Sequence, residues 1–384
     1  MVPCQQRRYL VLVQVAFFTC IVHLARRERR RASFLLGCPL RPRKTLLSPR
    51  IKGSKLRWLL ATAARFALLL IAVSFITFLL VGMSPIDPVQ ANVGQAAYLT
   101  MSAEKRAALA ERWGVGQSVF SRYAAWVSDA LAGDLGYSLR YNAPVIQVVA
   151  EKLSCSIVLL AVAWCISGVA GFFLGVAAGV KRGTAIDTAI RGYCYVLSTS
   201  PTFWLGLIAL MVFAVQLGWF PLGFSIPIGE SSASVSFASR LYHAALPALV
   251  LSLTGVASIA LHTREKTIDF LASDYARFAA SRGESSWSVL IRHGFRNLAM
   301  PAITLQFASI GEIVGGSVLV EQVFSYPGLG QAAVTAGLGG DAPLLVGIAL
   351  ATSCIVFAGN LISGIIQEVL DPRVKGGLFH AGQL

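Results

Sequence analysis

Apolar residues in this chain neither alternate nor keep to one helical stripe; they run on in long unbroken blocks. Six such blocks cover about 58–82, 156–180, 193–217, 245–263, 301–323 and 343–368. Each reaches the ~18–20 residues that a helix needs to cross the hydrocarbon layer. In lipid the backbone must satisfy its own hydrogen bonds, so only helices or closed barrels can span. Blocks this long, without period-two alternation, predict helices. The expected fold class is therefore an all-α membrane protein with six spans. A shorter block, Tyr9–Ala25, contains Gln14 and His23 and lies between Arg7-Arg8 and the run RRERRR at 26–31. Three readings of it stay open: an extra short apolar helix, an amphipathic surface segment, or part of an upstream extension.

The polar stretches between the blocks carry the remaining structure. In the first block, Arg65 sits near the basic end and Met83-Ser84-Pro85-Ile86-Asp87-Pro88 closes it, with two prolines that cannot continue a helix. In 89–153, Ser102 followed by Glu104 reads as a helix start. Val119, Phe120, Tyr123, Trp126, Val127 and Leu131 then recur at helical spacing. This loop is expected to form a small cap of amphipathic helices. The stretch 264–301 is the longest mixed-charge segment in the second half. Ile268, Leu271, Tyr275, Phe278 and Ala279 fall on one helical face, Gly283 interrupts, and Ser285 or Ser286 can cap a second helix carrying Trp287, Val289, Leu290 and Ile291. A helix–turn–helix with aromatic anchors outside the bilayer predicts a protein-docking surface, with a linker on lipid headgroups as the plainer reading.

Composition sharpens this picture. Hydrophobic residues make up 55% of the 384 and charged residues 13%, about half the share usual in soluble domains. The net charge of +15 is lopsided: residues 1–57 hold 14 Lys/Arg against Glu28, and the remainder nearly balances. A topogenic basic cluster accounts for that better than nucleic-acid binding. Lys181, Arg182 and Arg191 lie between the second and third blocks, six basic residues lie in 264–300, and Arg373 and Lys375 follow the sixth. By contrast 218–244 has only Arg240, and 324–342 has no Lys or Arg. The basic region 26–57, the 264–300 loop and the C-terminus are thus expected on the cytoplasmic side of a plasma membrane, and the 89–153 cap outside.

No catalytic constellation stands out. The seven cysteines include no C-x-x-C pair. H-E-x-x-H, G-x-S-x-G and G-x-x-x-x-G-K-[ST] are all missing from the sequence. The chain is not expected to be an enzyme, to hold a cofactor or metal, or to bind a nucleotide, so any ATP use falls to a partner. Glu312, mid-block in ITLQFASIGEIVGGSVLV, is the leading intramembrane ionisable residue. It either lines a pathway or pairs with a polar group on a neighbouring helix. Glu321 reads as a solvated or capping group. Gly168, Gly171 and Gly175, and Gly311, Gly315 and Gly316, permit close helix contact.

Several separated motifs now point the same way. DYARFAASRG (274–283) followed by VLIRHGFRNLAMPAIT (289–304) resembles the E-A-A-x-x-x-G loop of ABC importer inner-membrane permeases, in the form used by the dipeptide/oligopeptide/nickel branch. Counting back from Gly283, the E-A-A positions are Arg277, Phe278 and Ala279; a basic residue at the first is usual in that branch. SPIDPV (84–89), GDLGYSL (133–139), SPTFWLGL (200–207), VEQVFSYPGLG (320–330) and LDPRV (370–374) match in order, and the long loop with G-D-L-G is similar to the B-type subunit. The resemblance covers 58–375 and leaves 1–57 as an extension without counterpart; Glu312 stands where the family is usually uncharged.

The resemblance implies a six-helix type I importer transmembrane domain with a helical extracytoplasmic loop. It implies three kinds of partner besides membrane lipid: a second homologous permease, two cytoplasmic ATPases and an extracytoplasmic solute-binding protein. The site residues it implies are an ATPase-coupling loop of Asp274, Tyr275, Arg277, Phe278, Ala279, Arg282 and Gly283. Tyr275, Phe278 and Ala279 would seat in the ATPase, and Arg277 and Arg282 would pair with acids on its rim. Dipeptides or oligopeptides are the leading cargo; nickel or another small solute is the alternative within the family, and an ion-coupled secondary transporter the alternative outside it.

Overall fold

In the computed structural model, residues 52–84, 88–112, 118–227 and 235–370 are described. The short run at 9–25, the basic region 26–51, half of SPIDPV (85–87) and all but the first residue of LDPRV lie outside them. The chain divides into two units, Met1–Pro85 and Ile86–Leu384.

Among the described residues the first unit contributes one helix, α1 (Lys52–Gly82). The second unit begins with four short helices, α2 (Pro88–Val93), α3 (Gln95–Thr100), α4 (Ala103–Arg112) and α5 (Val119–Leu131). Ser102 caps α4 by accepting from the Lys105 N–H at 3.3 Å, and Ser118 caps α5 through the Ser121 N–H at 3.2 Å. Trp126 is the one buried residue of α5, and its indole N–H donates to the Leu135 carbonyl. Two two-residue strands, β1 (Tyr137–Ser138) and β2 (Ala143–Pro144), pair antiparallel with Tyr137 opposite Pro144.

The long helices follow: α6 (Val145–Val180), α7 (Ala185–Thr199), α8 (Thr202–Ala209) with a wider π turn over Leu210–Gln216, and α9 (Phe237–Leu271). After them come α10 (Asp274–Ser281) and α11 (Ser286–Val289), then a π turn over Leu290–Gly294 that leads into α12 (Phe295–Ala308). α13 (Ile310–Val323), α14 (Leu329–Gly339) and α15 (Ala342–Leu370) complete the described residues.

Among the described residues, four helices are long and apolar enough to cross a membrane: Leu60–Gly82, Val145–Val180, Phe237–Leu271 and Ala342–Gln367. The number rises to six when two bent pairs each count as one span. The first bent pair, α7 with α8, turns by 105°. Its corner is Ser200-Pro201, both extended, with Pro201 at φ −62° and ψ 130°. Proline excludes the preceding residue from the helical region, so the apolar block at 193–217 is a bent element and not one straight rod. The second pair bends by 50° at Ser309, between α12 and α13.

The core sits where α6 and α9 lie against each other. A Cβ at Gly171 would stand 2.8 Å from the Ile259 Cβ; at Gly175, 2.5 Å from the Ala260 carbonyl oxygen; at Gly179, 2.5 Å from the Thr267 Cβ. Glycine in a helix interior costs about 0.5–1 kcal/mol. Here it lets two backbones touch, and in lipid such packing replaces the missing hydrophobic drive. Beside this seam, Leu159 and Ala163 of α6, Val250 and Leu251 of α9 and Ile313 and Val320 of α13 form the main apolar cluster. Gln306 of α12 ties in through its side-chain amide, which donates to the Trp164 carbonyl, while the Trp164 indole donates back to the Gln306 carbonyl.

Candidate functional site

α9 does not stop where the apolar block ends; it continues through Arg264 to Leu271. Ser273 then breaks and restarts the chain. Its hydroxyl donates to the Phe270 carbonyl at 2.6 Å and accepts from the Ala276 N–H, as an N-cap should. Asp274 occupies the first turn of α10, where the helix dipole favours an acid. At the other end Arg282 is the C-cap and Gly283 has φ +85°, with open space where a Cβ would be. That left-handed residue is the usual helix stop, and it favours glycine for its backbone alone. Two residues on, the Ser285 hydroxyl caps α11 by accepting from Ser288 N–H.

The turn folds α10 back onto α11 over a small core of Ala276, Ala279 and Val289, with Phe270 packed against it. Gly294 lets the chain pass the Phe270 ring, since a Cβ there would lie 2.7 Å from it. The opposite face is apolar and open: Tyr275, Phe278, Trp287 and Ile291 are 44–71% exposed. Tyr275 stands edge-on to His293 at 5.3 Å, and His293 lies 3.9 Å from the Glu284 carboxyl. Arg277 reaches Asp274 at 3.8 Å on the exposed side; such a pair adds little stability and leaves the guanidinium available.

Six of the seven expected loop residues thus reach solvent. Ala279 does not, because it turns inward one helical step from Ala276, and only a side chain that small lets α10 close on Val289. Nor is there one continuous face from Ile268 to Ala279, since the Ala272–Ser273 break separates α9 from α10. Glu312 lies far from this surface, in the first turn of α13 just past the Ser309 bend. Its side chain is exposed and makes no ion pair among the described residues.

Three buried acids went unread or half-read in the sequence. Asp187, 1% exposed, takes the Arg264 guanidinium on both oxygens, at 2.6 and 2.9 Å, and also accepts from the Gly183 N–H. Asp341, fully buried, accepts from the Ser138 hydroxyl and the Arg140 N–H, and from the Leu344 N–H of α15. Glu321 is a cap, as one of its two readings had it, but it is buried and not solvated. Its Oε2 accepts from the N–H groups of Gly330 and Gln331 at the start of α14, and its Oε1 from the Ser156 hydroxyl. An acid inside or just outside an apolar block is the signal that would have flagged all three.

Residues 171–376 match the profile of a family described as binding-protein-dependent transport system inner membrane component. The chain is 30% identical over 308 residues to the oligopeptide transport system permease protein AppB of Bacillus subtilis, covering 80% of this chain and 95% of that one. It is 31% identical over 308 residues, with the same coverages, to a protein of Brucella suis named as a peptide permease. A third relative, named as a peptide transport system permease in Brucella abortus, is 32% identical over 306 residues. The match takes in the bent elements, the α9–α11 turn and the VEQVFSYPGLG corner together, and the chain belongs to this family: it is an inner-membrane permease subunit of an ABC importer.

Proposed function

We propose that the chain passes dipeptides or oligopeptides through the bacterial plasma membrane as one half of a permease pair driven by two cytoplasmic ATPases. The observation that carries this is the α10–α11 element. It is a braced turn at the end of a long helix, with Tyr275, Phe278 and Trp287 held outward on it. The relatives' names supply the peptide class. The chain has no phosphate loop of its own, so the energy enters through a partner. In this reading ATPase closure presses on Tyr275 and Phe278, with Arg277 and Arg282 meeting acids on the ATPase rim. Asp274 opens α10 at its first turn, Ala279 shapes the turn from within, and Gly283 is its joint. α9 carries the displacement into the bundle and exchanges inward- for outward-facing states. A solute-binding protein delivers cargo to the cap at 89–153, and the charge asymmetry of the loops puts the basic segments and the C-terminus in the cytoplasm. Residues 58–375 form the permease domain, with 264–300 as its coupling loop.

Glu312 faces the pathway or the second permease in this arrangement, because an exposed acid does not rest against lipid. Unchanged uptake by a Glu312→Leu variant would remove that role. The test of the main reading is Gly283→Val against Gly283→Asn in the reconstituted complex with labelled peptide. A β-branched residue at positive φ costs about 1–2 kcal/mol, whereas asparagine adopts it readily. Valine is expected to lower peptide transported per ATP and weaken ATPase retention, with asparagine near the parent. Equal transport and retention for valine overturn the coupling role. Uptake of nickel in place of peptide overturns the cargo.

A further inference from the structure

The coupling surface hangs from α9, and α9 has one buried ionic tie to another helix that the permease reading has not used. Arg264 is 8% exposed and Asp187 1% exposed, and they meet in a two-pronged pair at 2.6 and 2.9 Å. The other groups around it are few. Arg191 approaches Asp187 at 3.5 Å, Glu265 takes the free Nη1 of Arg264 at 2.5 Å, and the Gly183 N–H donates to Asp187 at 3.0 Å. Arg264 is also fixed from behind: Cβ atoms at Gly175 and Gly179 of α6 would lie within 3.1 Å of its backbone nitrogen and 3.0 Å of its carbonyl oxygen. Its guanidinium therefore has a rigid mount.

Position gives the pair its meaning. Phe270, the residue of α9 that the coupling turn packs on, lies six residues beyond Arg264, about 9 Å along the helix. On the far side, Asp187 sits in the first turn of α7, the helix that runs to the 105° corner at Ser200-Pro201. Beyond the pair, an apolar cluster of Cys194 and Leu197 with Ala257 and Ala260 joins α7 to α9. Apolar surfaces can slide; a two-pronged ion pair is directional and holds a register. Buried ion pairs are poor value as stabilisers, since well-packed apolar residues often do as well. This one joins the helix that receives the push to the helix that makes the corner.

We propose that Asp187 and Arg264 are positioning residues of the transport cycle: their pair makes α7 and its corner follow α9 when the coupling turn is displaced. The proposal rests on the coupling role given above to the 274–283 segment. The test uses the whole reconstituted complex of permease pair, ATPases and binding protein in proteoliposomes, and reads assembled complex, ATP hydrolysis and labelled-peptide uptake together. Asp187→Asn is expected to assemble and to hydrolyse ATP, while peptide moved per ATP falls about tenfold or more, the size of effect that one lost coupling contact of ~1.4 kcal/mol gives. Arg264→Lys keeps the charge and loses the second prong, so it is expected to lie between; it also carries the test should Asp187→Asn fail to assemble. Peptide per ATP equal to the parent in an assembled variant overturns the proposal. So does a loss of uptake that only follows a loss of assembled complex, which would make the pair a brace and nothing more. Gly283→Val run in parallel separates the two ideas. If it uncouples while both ion-pair variants do not, only the pair's role fails; if it too leaves coupling and ATPase retention intact, the coupling reading itself fails.

Discussion

The start of α14 permits a quantitative test, because its capping is supplied wholly from elsewhere in the fold. Gly328, its N-cap, offers no side chain, so the first N–H groups need outside acceptors. Leu329 N–H donates to the Ser156 hydroxyl at 2.7 Å, and Gly330 and Gln331 donate to Glu321 Oε2 at 2.7 and 3.0 Å. Gly328 and Gly330 are glycines for room: a Cβ at either would lie 3.0 Å or less from the Glu321 carboxyl. Glu321→Ala strands two buried N–H groups and removes the acceptor of Ser156. At about 1–3 kcal/mol for each stranded group, the loss comes to roughly 2–6 kcal/mol. Glu321→Gln keeps one oxygen, which suffices for both N–H groups because Oε2 already serves both, and its amide can donate to Ser156; its expected cost is about 1 kcal/mol. The assay is the apparent unfolding temperature of the detergent-solubilised permease at fixed scan rate. With ~2 °C per kcal/mol, alanine should lower it by about 4–12 °C and glutamine by about 2 °C. Equal shifts for the two variants, or an alanine shift under about 2 °C, refute the capping account.

Gly175→Val should abolish monodisperse protein in size-exclusion chromatography, since even its Cβ would stand 2.5 Å from the Ala260 carbonyl oxygen; Gly364→Val, which meets nothing within 4 Å, should elute as the parent. Phe278→Ser with Trp287→Ser should leave the unfolding temperature within about 1 °C, because both side chains are exposed, yet lower ATPase retention about tenfold or more in a pull-down. Asp341→Ala removes the acceptor shared by Ser138 and Arg140, and limited proteolysis should cut the 133–144 hairpin faster in the variant; an unchanged digestion rate would refute the anchoring role.

Much of the architecture was legible because the forces that make it act over short stretches of chain. An apolar run of span length reports its own helix, and Ser102 and Ser285 report their caps because each bonds an N–H three residues on. Ser273 makes the same local bond, but the apolar periodicity runs through it as one face. Gly283 was legible for the same reason, as a local backbone requirement. What escaped was set by contacts between distant segments. The corner at Ser200-Pro201 lies in a polar run, 198–202, too short to take the block below span hydropathy, so hydropathy reads through it. Ala279 looked like part of the aromatic face because periodicity cannot tell which side of α10 closes on Val289. Asp187 meets a partner 77 residues away, Glu321 one 165 away and Asp341 one 203 away.

Those three acids nonetheless obey one rule. Helix ends inside a protein have unpaired N–H groups, and within or beside lipid water is not there to satisfy them. Asp187 receives the Gly183 N–H at the turn into α7, Glu321 receives two N–H groups of α14, and Asp341 receives the Leu344 N–H of α15. Each is a buried acid that takes at least one N–H at or beside a helix start, Asp187 while also holding Arg264 and Asp341 while also holding Ser138 and Arg140. Glu312 is also in the first turn of a helix, just past the Ser309 bend, but there the ladder is kept: Glu312 N–H and Ile313 N–H both donate to the Ser309 carbonyl. Its carboxyl is left out of the capping and points outward. The rule that explains the three buried acids therefore does not explain the fourth. That exception sets Glu312 apart: it is an exposed acid at a helix start that caps nothing among the described residues, and the pathway role proposed above draws on that.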